Sequence, residues 1–307
     1  MTTAVGIWLR ALRVTQWTKN AVVFVAWFFA VADASQASMA RGVRPFLLVC
    51  LMALSFSRVA SAFYLLNDVS DYEADRLHPV KKLRPIAADL ISKVDAVRAA
   101  LALFAVGLAF PCYLVMRHPD RTTGFLILLL YTVMQCAYSG FLKRVPYVDV
   151  AVIAAGFVLR AVAGAAVIAA RISPWLLACA FLLSLFLALS KRHHERTIAA
   201  ASRVALKGYH PVVLDSLIFL AAAATVGVYG AYTLAADTVA RFGTRGLVFT
   251  TIFVALGVGR YLRLVYGEKA GDVGRPERVL LTDRILWLIL LGYGLTAVAA
   301  VLAVRIG

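Results

Sequence analysis

Nine apolar stretches, each near the length of a bilayer crossing, occupy most of this 307-residue chain. A helix needs about 20 mostly apolar residues to cross hydrocarbon. Such runs lie at 19–33, 46–66, 96–116, 122–140, 148–170, 174–190, 214–236, 246–264 and 285–304. They predict an all-α integral membrane protein, a bundle of nine transmembrane helices, with residues 1–307 forming a single polytopic membrane domain. Hydrophobic residues make up 62% and charged residues 16%, against about 45–50% and 25% in a soluble domain. The first run is short, and Trp8, Leu9, Leu12 and Trp17 form an amphipathic lead into it. No small-residue cleavage site closes that run, and eight more follow, so a secretory signal peptide is not expected. Cys50, Cys112, Cys136 and Cys179 all fall inside apolar runs without ligand spacing, which points to packing.

Charge gives an orientation. With a cytoplasmic N-terminus, 22 of the 32 Lys and Arg residues fall on the cytoplasmic side and 8 on the other, leaving Arg58 and Arg160 inside spans. That bias over short loops is a positive-inside signal for a multi-pass protein of the inner cell membrane. Thirteen of the 16 acids share the same face. The net charge of +16 suits anchoring to anionic membrane lipids or attraction of an anionic substrate. No nucleic acid is expected, because the basic residues are divided among short loops instead of forming one patch interleaved with aromatics.

The acids and bases gather in a few places. Asn67-Asp68-Val69-Ser70-Asp71-Tyr72-Glu73-Ala74-Asp75 ends the second run. If the helix continues, Asp68, Asp71 and Asp75 lie within about 60° on one face, with Glu73 elsewhere. Three carboxylates so placed need a cation, and hard oxygens that leave room for water and substrate suit magnesium bridging to a diphosphate. An acidic helix end exposed to solvent is the ordinary alternative, less ordinary at the end of a membrane span. Next comes His78-Pro79-Val80-Lys81-Lys82-Leu83-Arg84-Pro85, a stiff basic loop in which Lys81, Lys82 and Arg84 read either as a phosphate clamp or as a topogenic patch. Tyr138, Lys143, Arg144 and Asp149 sit between spans four and five, and Arg160 lies deeper in the membrane. Lys191-Arg192-His193-His194-Glu195 closes span six. Its Lys191 and Glu195 have salt-bridge spacing, and its adjacent histidines cannot share a helix face. The last loop carries Arg260, Tyr261, Arg263 and the stretch Glu268 to Asp283, with Gly271, Gly274 and Pro276.

Asn67-Asp68-x-x-Asp71-x-x-x-Asp75 near a span end resembles the aspartate-rich first motif of the UbiA superfamily of membrane prenyltransferases. Further segments are similar to its decaprenyl-phosphate phosphoribosyltransferase branch. They are Gln16-Trp17-x-Lys19-Asn20, His78-Pro79-x-Lys81-Lys82-x-Arg84-Pro85-Ile86-Ala87, Leu142-Lys143 with Asp149-Val150, Arg160-Ala161-x-Ala163-Gly164, and Gly271-x-x-Gly274-x-Pro276-Glu277 with Asp283-Arg284. The resemblance implies transfer of 5-phosphoribose from phosphoribosyl diphosphate to a polyprenyl phosphate at the cytoplasmic face, with magnesium as cofactor. It implies Asn67, Asp68, Asp71 and Asp75 as catalytic, the three aspartates as metal ligands. It places Lys19, Lys82, Arg84, Tyr138, Lys143, Asp149, Arg160, Lys191, Arg192 and Glu195 at the substrates. A homo-oligomer is left open.

Two departures stand out. Members that prenylate aromatic rings carry a second aspartate-rich cluster after span six, where this chain has Lys191, Arg192 and Glu195. A basic pair there suits a phosphate instead. Ala88-Asp89 replaces the small Ala/Ser-Gly pair expected after Ile86-Ala87. An aromatic prenyltransferase using a polyprenyl diphosphate is the runner-up. A transporter for a phosphorylated solute would need a polar path through both faces, whereas the polar residues here crowd one face.

Overall fold

The protein is described here from a computed structural model covering residues 3–33, 35–198, 208–267, 279 and 282–306. All regular structure among the described residues is helical. The α-helices are α1 (Ala4–Ala11), α2 (Val23–Ala32), α3 (Ala37–Ala40), α4 (Val43–Ser70), α5 (Tyr72–Leu77), α6 (Lys93–Arg117), α7 (Thr122–Gly140), α8 (Val148–Val167), α9 (Pro174–Ile198), α10 (Pro211–Leu234), α11 (Ala236–Phe242), α12 (Thr250–Tyr266) and α13 (Arg284–Ile306). Eight helices among the described residues are long and apolar enough to cross a membrane: α4, α6 to α10, α12 and α13, with α7 and α12 extended by a preceding 3-10 turn. The run expected at 19–33 differs in form. It is a 3-10 segment, Val14–Val22, followed by the ten-residue α2.

The start signals are local. Ser92 Oγ accepts the Asp95 amide at 3.0 Å and opens α6, Pro211 occupies the first turn of α10, and Asp283 Oδ1 accepts the Leu286 amide at 2.9 Å to open α13. All four cysteines are free thiols.

The chain divides into two compact units. Unit 1 comprises 1–28, 39–140 and 159–170. Its central helix is α4, whose apolar window is 61% buried against 6% for α13, so α4 is a core element and α13 a peripheral one. Bare Gly107 on α6 lets that helix close on α4, where a Cβ would meet Val59 Cγ2 at 3.1 Å and Ser55 O at 3.3 Å. Phe63 and Phe104 stack edge to face across the same seam at 5.1 Å. A second close approach brings α8 onto the start of α2: a Cβ on Gly164 would stand 1.9 Å from the Val23 carbonyl oxygen. Only glycine fits there.

Unit 2 comprises 29–38, 141–158 and 171–307. Phe186, Leu189, Leu214, Ile218 and Tyr261 form its core, with Phe186 and Tyr261 rings 5.6 Å apart. A polar node ties its loops. Buried Asp33 accepts from Ser35 and Gln36 and pairs with Arg241 Nε at 3.1 Å, while Gln36 Oε1 accepts the Arg171 amide at 2.6 Å.

Candidate active site

Helix α4 does not run on through the acidic motif as the spacing predicts. It stops at Ser70, Asp71 takes φ −91° and ψ 9°, and α5 begins at Tyr72. Backbone hydrogen bonds bridge the break, Asp71 N–H donating to Asn67 O and Asp75 N–H to Asp71 O, both at 2.8 Å. The three aspartates therefore hang from two helical pieces hinged at Asp71. Asp68 and Asp75 are buried, at 3% and 2% exposure, while Asp71 and Asn67 are half-buried. Glu73 points away to solvent and Lys93.

Buried carboxylates require countercharge, and three cations supply it. Arg84 Nη1 donates to Asp68 Oδ1 at 3.0 Å and to Asp75 Oδ2 at 2.6 Å, bridging the break. Arg13 Nη2 donates to the same Asp68 oxygen at 2.5 Å, and Lys81 Nζ stands 3.8 Å from Asp75 Oδ1. The loop that delivers Arg84 is stiffened from within, because His78 Nδ1 accepts the amides of Val80 and Lys81. Lys82 is exposed. The departure at Ala88-Asp89 has a simple outcome: Asp89 itself adopts the left-handed conformation, φ 55°, which aspartate tolerates. Its carboxylate accepts the Tyr72 hydroxyl at 2.6 Å, and that bond holds the phenol above its ordinary pKa.

No motif marks Arg13. It sits at φ 52° between α1 and the 3-10 segment, its guanidinium 4.6 Å from the Tyr64 ring centre. The only signal in the sequence is an arginine between the two tryptophan-bearing stretches.

A polar seam leads from this site into the membrane. Ser57, Ser61, Tyr64 and Asp68 share one stripe of α4, rising about 16 Å along the helix. Trp17 Nε1 donates to Ser61 Oγ at 3.0 Å and Asn20 Nδ2 to Ser57 Oγ at 2.8 Å. Arg160 Nε donates to Asn20 Oδ1 and its Nη2 to Tyr131 OH, both at 2.7 Å. The Arg160 guanidinium also lies 4.7 Å from the Tyr131 ring centre. The Arg160…Gly164 spacing explains the contact, since the missing side chain at Gly164 lets α8 approach closely enough for Arg160 to reach Asn20. Lys19 Nζ donates to Gln16 Oε1 at 3.1 Å. Tyr138 is half-buried in the last turn of α7.

In unit 2 a different cluster forms. Arg192 Nε donates to Asp149 Oδ2 at 2.8 Å, Arg192 Nη1 donates to Glu195, and the Tyr209 hydroxyl donates to Asp149 Oδ1. Asp149, Arg192 and Tyr209 are at most 3% exposed. Burial first, then the bond to Asp149, pushes the Tyr209 phenol well above its usual range. Arg192, expected at a substrate phosphate, is thus held by two carboxylates, and Glu195 pairs with it at i, i+3. His193 Nδ1 lies 2.8 Å from Asp215 Oδ1, which also accepts the Tyr266 hydroxyl. Lys143 and Lys191 are half-buried. Asp283 pairs with Arg260 at 2.7 Å. Gly271, Gly274, Pro276 and Glu277 lie outside the described residues.

The donor chemistry of unit 1 fits a magnesium ion. Among the described residues no three His, Cys, Asp or Glu side chains close a cage unaided. Two buried carboxylates already share one cationic atom, however, and a hard ion completing its shell with water and diphosphate oxygens needs little more.

The comparisons agree in direction. The chain is 34% identical to the decaprenyl-phosphate phosphoribosyltransferase of Corynebacterium glutamicum, over 95% of this chain and 86% of that one. It is 33% identical to the enzyme of that name from Mycobacterium tuberculosis, over 95% and 93%. A solved UbiA homologue from Archaeoglobus fulgidus, bound to GPP and Mg2+, superposes with TM-score 0.69 at 20% identity, covering 95% of this chain and 99% of that one. The signature of the UbiA prenyltransferase family matches residues 21–276, which takes in the acidic turn, Arg160 and the Arg192 cluster, and the chain belongs to that family.

Proposed function

We propose that the chain transfers 5-phosphoribose from phosphoribosyl diphosphate to the phosphate of a long polyprenyl phosphate, releasing diphosphate. The observation that carries the reading is the pair of buried carboxylates, Asp68 and Asp75, gathered on one cation at the end of a membrane-crossing helix. The relatives named for this reaction, similar along 95% of the chain, favour phosphoribose as the group transferred. So does Lys191, standing with Arg192 where a second aspartate cluster would lie.

Asp68, Asp71 and Asp75, with Asn67 in support, would hold magnesium, which neutralises the departing diphosphate. The chain's other residues bind and orient. Lys81, Lys82 and Arg84 meet diphosphate oxygens, and Lys19, Tyr138 and Arg160 line the approach of the acceptor phosphate. Lys143 and Lys191 are assigned to the remaining phosphate groups. Asp149, Arg192 and Glu195 are assigned supporting roles. An acceptor phosphate oxygen attacks the anomeric carbon as the bond to diphosphate breaks, so the nucleophile is already anionic and no general base is required.

The acidic turn would open to the cytoplasm, where the positive-inside bias puts it. A ninth crossing fits as well. The 3-10 segment and α2 have 9 and 10 residues. At rises of about 2.0 and 1.5 Å they reach roughly 33 Å, enough for a core of about 30 Å.

The test is product formation by purified protein in lipid nanodiscs with magnesium, labelled phosphoribosyl diphosphate and decaprenyl phosphate. A labelled lipid supports the reading. Turnover of a prenyl diphosphate with a hydroxybenzoate, and none with phosphoribosyl diphosphate, would make the chain an aromatic prenyltransferase.

A further inference from the structure

Asp68 and Asp75 already have the shared cation that two buried carboxylates need. Arg84 Nη1 is 3.0 Å from one and 2.6 Å from the other. The carboxylates are 3% and 2% exposed, but the Arg84 side chain is 29% exposed. It comes from a loop, not from the helices that carry the acids. The guanidinium is therefore the outer, movable partner of an inner, fixed pair. Arg13, the other cation on Asp68, is kept in place by its stacking on Tyr64 and its turn at the end of α1.

We propose that Arg84 is an exchangeable place-holder: it neutralises Asp68 and Asp75 while no metal is bound, and yields them when a metal diphosphate arrives, turning its guanidinium to the diphosphate oxygens. The inference rests on the reading of the acidic turn as a metal-diphosphate site. Charge balance carries it. A bare divalent ion can take the two carboxylates only by stranding Arg84 beside a second positive charge. A metal diphosphate brings the anion that receives the guanidinium, which matches phosphate in a bidentate fork. Metal and diphosphate are thereby coupled through one side chain, and the coupling is reciprocal. The site takes up metal together with the diphosphate in preference to free metal.

Equilibrium dialysis of the full-length protein in nanodiscs tests this, with Mn2+ as probe, offered alone and as preformed manganese diphosphate. The wild type should hold the complex at least about tenfold more tightly than the bare ion. In R84Q the bare ion should bind about tenfold more tightly and the complex more weakly, so that the preference collapses. Unchanged or weakened binding of bare Mn2+ by R84Q overturns the place-holder. If R84Q does not elute as folded protein, R84K decides, because its compact ammonium holds the two carboxylates less well than a fork. Bare Mn2+ should then bind about threefold more tightly, and no tightening overturns the proposal. D68N separates the two levels. Loss of Mn2+ in both forms keeps the acidic turn as the metal site whatever Arg84 does, and full retention in both forms removes the site itself.

Discussion

Each unit holds two carboxylates on one arginine, yet the two clusters are built to opposite specifications. In unit 2 the arginine belongs to helix α9 and is buried with Asp149, Arg192 at 3% and Asp149 at 0% exposure, while Glu195 keeps 22% of its side-chain surface exposed. In unit 1 the carboxylates are equally buried, but Arg84 and Arg13 come from loops and keep 29% and 23% of their side-chain surface exposed. A buried pair strengthens nothing by itself and is costly to break, whereas a pair with a solvent-reachable member can trade that member for a ligand. The same ion-pair chemistry is thus a rivet in one unit and a socket in the other.

The sharpest way to break this comparison is Arg192→Ala. It strands the buried Asp149 and should cost about 3–5 kcal/mol, read as a loss of folded protein in denaturant titration of detergent-solubilised samples. A variant that folds normally and only raises KM for phosphoribosyl diphosphate would turn the rivet into a second socket. Asp68→Asn should do the reverse. The fold survives, and turnover falls at least about a hundredfold, close to 3 kcal/mol of barrier; near-normal activity at saturating magnesium would remove the unit 1 site. Asp71→Asn is expected to follow it.

Alkaline pH distinguishes the clusters more gently. The Tyr209 phenol has its folded pKa raised above the unfolded value near 10. Its contribution is present below pH ~10 and is lost as pH climbs toward the folded value. Absorbance at 295 nm should show this phenolate appearing only with unfolding, and Tyr209→Phe should remove that alkaline component of stability. Phenolate formation in the intact fold would mean that Tyr209 is accessible after all. The smallest effect belongs to Glu73→Gln. Its carboxylate is 83% exposed beside Lys93, so both stability and rate should stay within about 0.5 kcal/mol of the wild type.

Most of the helices could be read from the sequence because lipid allows few other solutions for long apolar runs. The acidic turn could be read from its spacing, but its shape could not. The periodicity assumes a continuous helix, and nothing in Ser70-Asp71-Tyr72 announces the stop. Arg13 escaped because its partner is 55 residues away and its own backbone is left-handed. The pairing of Arg192 is hidden for a related reason. A basic residue at a span end looks free for phosphate until the fold brings Asp149 to it from 43 residues away. Asp89 shows a different case: it stands where glycine is expected after Ile86-Ala87, and it adopts the left-handed conformation itself.

The 3-10 winding of Val14–Val22 has a consequence for Arg160. Three residues at about 2.0 Å climb as far as four α-helical residues at about 1.5 Å, about 6 Å each. The segment and α4 therefore work like two rulers with different graduations whose marks coincide: the step from Trp17 to Asn20 matches the step from Ser61 to Ser57, and both rungs close. Rewound as an α-helix, the same three residues would climb only about 4.5 Å, and one rung would miss. Asn20 would then lose its footing on Ser57, and with it the acceptor that holds Arg160 at its depth. Winding, more than composition, calibrates how far below the acidic turn that charge lies.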